Sequence, residues 1–253
     1  MTGAEPGGAK TDVSHWDADW QIRPSTRFWS PFDPGNTDIH RLLRRYVRKG
    51  SDVLEIGFAP GKYLAWVALK LEGKVAGVDY SPQGVMVARD LFERVGVTGD
   101  LRHENVFETS FAPDSFDCVY SAGVIEHFDD PRPLVAKHVE LAKPGGTILI
   151  LVPNYGGPIG RIQNRIAPEN IAIHNLEIMH RDTMAALFDP AEVASVKTFK
   201  AGRFSLWGLA LDRVMPARVA NLIQRGAGLT GTAMPCRIPP MAAFIVAAAV
   251  KKG

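Results

Sequence analysis

Between residues 52 and 152 the chain alternates short apolar runs with helical patterns, and this alternation restricts the possible folds more than any other feature. The apolar runs have the length of strands: Asp52–Ile56, Lys74–Val78, Leu101–Asn105, Phe116–Ser121 and Thr147–Val152. Helical patterns lie between most of them, at Tyr63–Leu71, Pro82–Val95 and Pro133–Ala142. Apolar strands separated by helices indicate a parallel sheet that is covered on both faces. The sequence therefore predicts a doubly wound α/β fold.

Outside this region the pattern is less regular. A helical pattern covers Ile39–Val47 and stops at Lys49-Gly50. Past Pro153 we expect a loop with short helical pieces over 154–173, and then four further elements. These are a helix at Arg181–Phe188, a strand at Val193–Phe199, a helical insertion at Leu206–Leu229 and a buried strand at Met241–Val250. A hairpin of the last two strands would complete a mostly parallel, seven-stranded sheet whose last strand is antiparallel and closes one edge.

The length of 253 residues fits one elaborated domain. We predict a single domain over 39–253, with acceptor-binding insertions at about 154–180 and 203–237. An N-terminal segment, 1–38, precedes it and carries an aromatic cluster between residues 16 and 32. Trp16, Trp20 and Trp29 of this cluster either pack onto the domain or form a lid over a ligand. Residues 1–14, with several Gly, Pro and Thr, are expected to be mobile.

Composition excludes several classes of protein. A net charge of +2 gives no polyanion-binding signature, so a nucleic-acid partner is not expected. No apolar run approaches the ~20 residues of a transmembrane helix, and a cytoplasmic location is the default expectation. The two cysteines, Cys118 and Cys236, form neither a C-x-x-C pair nor a zinc pattern, so neither a disulfide framework nor a metal site is expected.

The sharpest motif is the segment Glu55-Ile-Gly57-Phe-Ala59-Pro-Gly61-Lys62, where an apolar strand runs into a glycine-rich turn and then into a helix. Such a turn presents backbone N–H groups to a ligand. A phosphate-binding P-loop needs four residues between its glycines, whereas Gly57 and Gly61 bracket three. A dinucleotide fingerprint needs glycine where Ala59 and Lys62 stand. Both fits are poor.

The same segment resembles the first motif of class I S-adenosylmethionine (SAM)-dependent methyltransferases, an acidic residue followed by x-Gly-x-Gly-x-Gly, with Ala59 in place of one glycine. Further motifs of that family follow in order. They are Gly77-Val-Asp79-Tyr80-Ser81, Glu104-Asn105-Val106, Phe111-Ala-Pro-Asp-Ser-Phe116-Asp117, Ser121-Ala-Gly-Val-Ile-Glu126-His127 and Leu141-Ala-Lys143-Pro-Gly-Gly146. The resemblance covers about residues 45–155 and is greatest to the small-molecule methyltransferases of the ubiquinone-biosynthesis type.

The resemblance implies roles for particular residues. Glu55 would organise the turn, and Asp79 would bind the ribose hydroxyls of SAM. Tyr80 would stack on the adenine, whose edge Asn105 and the Val106 N–H would read. The remaining expected contacts with the cofactor are Gly57, Phe58, Ala59, Pro60 and Gly61 in the turn, and the carbonyls around Ser121 and Ala122 after the fourth strand.

The family resemblance implies methyl transfer to a small-molecule acceptor, which we expect to react through oxygen, with S-adenosylhomocysteine as the second product. Methyl transfer depends largely on alignment, and an oxygen nucleophile also needs its proton removed. His127 is the candidate base, and its alternative role is a hydrogen bond within its loop. Glu126 and Asp129-Asp130 are expected to be solvated or capping groups.

Acceptor recognition is expected from the N-terminal aromatic segment, including Trp16, Trp20 and Trp29, and from His174 and His180 in the variable region. Residues 161–253 hold 12 Lys+Arg against 6 Asp+Glu, which suits an anionic acceptor or an ordinary basic surface. An amphipathic helix at 206–229 could also meet a membrane surface. N- or C-methylation, a SAM-binding module without catalysis, and a nicotinamide dehydrogenase are the alternatives.

Overall fold

Seven strands form one sheet in the order β3-β2-β1-β4-β5-β7-β6. The protein is seen in a computed structural model that describes residues 7–22, 34–203, 206, 208–233 and 242–253. The strands are β1 (Asp52–Ile56), β2 (Lys74–Asp79), β3 (Asp100–His103), β4 (Phe116–Ala122), β5 (Ala142–Pro153), β6 (Val193–Ala201) and β7 (Phe244–Lys251). The first five pair in parallel, and β7 is antiparallel to both β5 and β6. The predicted fold class is confirmed, but β7 lies inside the sheet and β6 forms the edge.

Two α-helices of the described residues precede β1, and the others lie between the strands. They are α1 (Val13–Ile22), α2 (Pro34–Tyr46), α3 (Lys62–Leu71), α4 (Pro82–Val95), α5 (Arg132–Leu141), α6 (Pro158–Ile166), α7 (Pro168–Ala172), α8 (Arg181–Ala185) and α9 (Ala217–Ala233). The helical insertion expected over Leu206–Leu229 contains a short 3₁₀ helix at Leu211–Arg213, and its α-helix begins only at Ala217. Pro216 precedes this start, and a proline disfavours helical backbone at the residue before it.

The sheet is buried on both faces, as the apolar strands predict. Side chains alternate along a strand, so Leu54 and Ile56 of β1 face α5, while Val53 and Glu55 face the layer of α2 and α3. Because β1 pairs in parallel with both β2 and β4, the carboxyl ends of these three strands meet at one end of the sheet. A crevice at this end is where open α/β sheets bind ligands.

The N-terminal segment is attached to this same end of the sheet. Lys10 N–H donates to the His127 carbonyl at 2.7 Å, and Asp129 N–H donates to the Gly8 carbonyl at 2.9 Å. Further along, the Asp17 carboxylate accepts a hydrogen bond of 2.6 Å from Ser81 Oγ at the start of α4. The expectation of mobility is therefore wrong for residues 7–14, because backbone pairing and a helix hold them. Among the described helices, none combines the length and the apolar character needed to cross a membrane.

Candidate active site

The glycine turn after β1 depends on the absence of a side chain at Gly57. This residue has a φ of 68°, and an added Cβ would lie 2.6 Å from Cγ2 of Val124. Its N–H donates to the Val78 carbonyl at 2.8 Å, which ties the turn to the end of β2. Gly61, with a φ of 84°, packs against Ala88 of α4. The turn therefore brings its backbone close to the loop that follows β4.

Asp79 at the end of β2 joins the turn to the next helix. Its Oδ2 accepts the Ala59 N–H at 3.0 Å, and its Oδ1 accepts the Ser81 N–H at 2.9 Å. Burial raises the pKa of Asp79 to about 6, and the two N–H groups oppose that rise. A carboxylate has about four acceptor positions, so two N–H donors leave acceptor capacity that suits two ribose hydroxyls.

A cavity opens at the carboxyl ends of β1, β2 and β4. It is lined by seven of the residues expected to bind SAM: Gly57, Ala59, Asp79, Tyr80, Asn105, Val106 and Ala122. Trp16, Trp20 and His127, which were expected at the acceptor, also line it. The sequence analysis missed a set of mainly apolar residues in the lining: Thr11, Phe107, Val124, Phe128 and Leu134. Val124 lies inside the Ser121–His127 motif without having been given a role, and the other four reach the cavity through the packing of separate segments.

Five residues expected at the cofactor lie behind the cavity wall: Glu55, Phe58, Pro60, Gly61 and Ser121. Glu55 points to the other face of the sheet, where its Oε2 accepts a 2.8 Å hydrogen bond from the Tyr120 hydroxyl. Burial raises the pKa of Glu55 to about 8. The Phe58 ring fills the space that Gly77 leaves open, and Ser121 Oγ contacts Nε2 of His138 at 2.9 Å. These side chains support the turn instead of lining the cavity.

Helix α1 covers one side of the cavity with two tryptophans. Trp16 Nε1–H donates to Thr11 Oγ1 at 3.1 Å, and its ring meets the His127 ring edge-on with centroids 4.9 Å apart. The Trp20 ring lies against Gly84 of α4, where an added Cβ would come within 3.0 Å of it. Trp29, the third tryptophan expected here, lies outside the described residues.

His127 is buried on the wall of the cavity and close to a second histidine. Its Nδ1 lies 3.0 Å from the Ile173 carbonyl oxygen. Because a carbonyl can only accept a hydrogen bond, Nδ1 carries the proton and donates, and Nε2 of the neutral ring carries the lone pair. Burial and, secondarily, His174 lower the pKa of His127 to about 3. Nδ1 of His174 donates in the same way to the Asn170 carbonyl at 2.6 Å, and the two ring centroids are 4.7 Å apart.

Glu126 differs from its expected role, since it is neither solvated nor a cap. It is 1% exposed, and its Oε2 has no hydrogen-bond partner among the described residues. Burial raises the pKa of Glu126 to about 8. Asp129 and Asp130 do lie at the surface, where they pair with Lys10 and Arg132.

His180 and Cys118 lie apart from this cluster. His180 is exposed at the start of α8, near Gly156, and does not join His127 and His174. Cys118 is buried in β4, and burial raises its thiol pKa to about 12, which excludes a reactive thiolate there. Cys236 lies outside the described residues.

The fold is that of the Rossmann-like methyltransferases of class I, and the cavity lies where such sheets bind ligands. Comparison with known proteins agrees: residues 54–150 match the methyltransferase domain family, and this part of the chain is similar to SAM-dependent methyltransferases. SAM is the cofactor of these enzymes. The residues present fit it, since Gly57 leaves a side-chain-free cradle and Asp79 offers acceptors beside it.

Individual relatives cover part of the chain. A ubiquinone biosynthesis O-methyltransferase of Xanthomonas campestris is 30% identical over 140 residues, 55% of this chain and 56% of that protein. A ubiquinone/menaquinone biosynthesis C-methyltransferase of Idiomarina loihiensis is 28% identical over 138 residues, 51% of this chain and 54% of that protein. The chain thus spans about half the length of the curated relatives it matches.

One solved structure matches nearly the whole fold. It is the methyltransferase in a complex with the Haloferax volcanii Trm112 methyltransferase activator, and its TM-score is 0.59. The match covers 96% of this chain and 98% of that chain at 20% identity. At this identity the similarity shows the shared fold.

Proposed function

We propose that this chain transfers the methyl group of SAM to an oxygen atom of a small-molecule acceptor. The observation that carries the proposal is the cavity in which the Gly57 turn, the Asp79 carboxylate and His127 meet under a tryptophan lid. The name of one relative, a ubiquinone biosynthesis O-methyltransferase, supports the transfer to oxygen. A cytoplasmic location and an anionic acceptor stay predictions.

The first part of the mechanism is binding of the cofactor. Asp79 would accept hydrogen bonds from the ribose, and Tyr80 would stack against the adenine. Asn105 already shapes the turn after β3, because its Oδ1 accepts the Phe107 N–H at 3.0 Å. This turn would hold the Val106 N–H toward the adenine edge. When bound, SAM supplies a methyl group on a positively charged sulfur, which is a strong leaving group.

The second part is alignment of the acceptor. His127 shares the cavity with Asp79 and lies under Trp16, so it is the residue we place beside the acceptor oxygen. Its low pKa keeps the ring neutral, and the lone pair on Nε2 can accept a hydrogen bond from the acceptor hydroxyl. Trp16 and Trp20 would exclude water, which strengthens the electrostatic contacts inside the site. His174 stands behind His127, whereas the exposed His180 does not line the cavity and is not placed at the acceptor.

Incubation with SAM that carries an isotope-labelled methyl group, and with a panel of hydroxylated small molecules, tests the proposal. We expect a labelled methyl ether or ester and one equivalent of S-adenosylhomocysteine. His127→Asn keeps a donor for the Ile173 carbonyl and should lower turnover by about 10²- to 10⁴-fold while SAM still binds. His180→Asn is the matched control. Unaltered turnover in His127→Asn would leave this residue a structural role only.

Carbon methylation is the second candidate, and the similarity to the Idiomarina loihiensis C-methyltransferase favours it. Fragmentation of the labelled product by mass spectrometry separates the two reactions. A label bonded to carbon would replace the oxygen assignment without changing the cofactor site. Tight binding of SAM with no transfer to any acceptor in the panel would support a non-catalytic SAM-binding module.

A further inference from the structure

Glu126, His127 and His174 form a buried cluster that the methyl-transfer chemistry does not fully use. One carboxylate oxygen and one imidazole nitrogen from each histidine all lie within 4.8 Å of one another. The three residues come from two separate segments, the loop after β4 and the stretch after α7, which hydrogen bonds fasten together. Asn175 N–H donates to the Glu126 carbonyl at 2.6 Å, beside the bond from His127 to Ile173.

Both histidines make the carbonyl hydrogen bond that ligating histidines usually make. A ligating histidine almost always donates its other ring N–H to a carbonyl or carboxylate, which fixes the tautomer and directs the remaining lone pair to the metal. Here Nδ1 of His127 donates to Ile173, and Nδ1 of His174 donates to Asn170. Tyr155 packs edge-on against His174 with ring centroids 5.1 Å apart, so the second ring is also held in place.

Glu126 supplies an independent indication of a missing ligand. Its Oε2 is buried and has no hydrogen-bond partner among the described residues. A buried carboxyl group without a hydrogen-bond partner is costly even when it is protonated, and an ionised buried carboxylate is normally paired or coordinates a metal. No Lys or Arg side chain is paired with Glu126 in the described part of the chain.

We propose that Glu126, His127 and His174 bind a divalent transition-metal ion, with zinc as the ion that fits best. Two imidazoles and one carboxylate are a common ligand set of catalytic zinc sites, which keep a fourth position open. Mg²⁺ and Ca²⁺ fit less well because they prefer oxygen ligands. Zinc bonds of 2.0–2.2 Å bring ligand atoms to about 3.3 Å from one another, so small shifts of the three side chains must close the present spacing of up to 4.8 Å.

The position of His127 gives this ion a role that rests on the proposed function. His127 is a member of the cluster and of the cavity wall, so an open coordination position would lie next to the acceptor. The Nε2 lone pair of His127 would then lie on the ion and not on the acceptor hydroxyl, so the ion would take over the role given to that nitrogen above. An acceptor hydroxyl in the open position would lose its proton to solvent more readily. The oxygen would then form its bond to the methyl carbon as the carbon–sulfur bond breaks, and the sulfur would keep the electron pair.

The first test measures metal binding without any turnover. The full chain is stripped with a chelator and titrated with Zn²⁺ against a chromophoric competitor. We expect one Zn²⁺ per chain, and at least ~100-fold weaker binding in Glu126→Gln and His174→Asn. The exposed residues Glu177 and His180 offer matched controls, because Glu177→Gln and His180→Asn repeat the same chemical changes outside the cluster.

Two further measurements keep the test valid if a variant is unstable. Co²⁺ in the wild-type chain should give the intense visible bands of a tetrahedral site, and excess Zn²⁺ should remove them. Zn²⁺ should also raise the thermal midpoint of the wild type and of both controls but not of the cluster variants, because only chains that bind in the folded state gain stability. No stoichiometric binding of Zn²⁺ or Co²⁺, or equal binding by the cluster variants, would overturn the site.

Methyl transfer by the metal-free chain and by the Zn²⁺-bound chain separates this proposal from the proposed function. If the metal-free chain methylates its acceptor at the full rate, the catalytic role of the ion is wrong and methyl transfer stands. If Zn²⁺ binds but no acceptor is methylated, the metal site stands and the proposed function is wrong.

Discussion

Replacement of Gly57 by alanine tests the geometry on which the cofactor turn depends. The new Cβ would meet Val124 Cγ2 at 2.6 Å, and the backbone would stay at a φ of 68°. The left-handed backbone costs about 1–2 kcal/mol for a residue with a side chain. Displacing Val124 by nearly 1 Å adds about 1–3 kcal/mol, in the range of overpacked sites. We therefore expect Gly57→Ala to lower the free energy of unfolding by about 2–5 kcal/mol.

Gly96 provides a closely matched control for this substitution. It has the same φ of 68°, but an added Cβ would meet no atom within 4 Å. Gly96→Ala should therefore cost only the backbone contribution, about 1–2 kcal/mol. Urea unfolding followed by circular dichroism measures both variants. Equal destabilisation of the two would refute the close contact between the turn and Val124.

The remaining predictions concern the lid and the buried acid behind the turn. Asp17→Ala removes the acceptor of the Ser81 Oγ hydrogen bond and should weaken the attachment of α1 by about 1 kcal/mol. S-adenosylhomocysteine should then dissociate about fivefold faster in stopped-flow measurements. An unchanged dissociation rate would show that α1 does not close the cavity. Glu55 has a folded pKa of about 8 against an unfolded value of 4.5, so the stability it contributes is fully present below pH 4.5 and is lost as the pH rises toward 8. In urea unfolding, the free energy of unfolding of the wild type should fall by about 1.4 kcal/mol per pH unit within that range, relative to that of Glu55→Gln. If the free energies of the two proteins changed in parallel with pH, the buried, protonated carboxyl group would be contradicted.

Local sequence signals predict the residues that sit directly at strand ends. The turn at Gly57 and the acid at Asp79 follow apolar strands, and in a parallel sheet the carboxyl ends of neighbouring strands meet at one place. Asn105 was expected at the cavity from the resemblance to methyltransferases, and the structure places it in the lining. The alternation of side chains along a strand explains why Glu55 does not line the cavity. Glu55 lies within β1, two positions before Gly57, and its side chain points to the face of the sheet that packs against α2 and α3.

Contacts between distant segments could not be predicted in this way. Residues 7–10 pair with 127–130 through backbone hydrogen bonds, which carry no residue signature, so the expected mobility was wrong. Glu126 stands beside Asp129 and Asp130 in a polar stretch, and only the packing of the stretch around His174 buries it. The cluster with His127 therefore has none of the short ligand spacing that reveals a zinc site in a sequence.

The central claim is that this cavity binds SAM through Asp79, and isothermal titration with S-adenosylhomocysteine tests it most directly. The wild type should bind one molecule per chain. Asp79→Asn keeps the shape of the side chain but loses its charge, and should bind roughly 10- to 100-fold more weakly, as expected for hydrogen bonds to a charged group. Asp90→Asn, on the exposed face of α4, should bind like the wild type. Equal affinity in Asp79→Asn, or a wild type that binds NAD and not S-adenosylhomocysteine, would contradict the account.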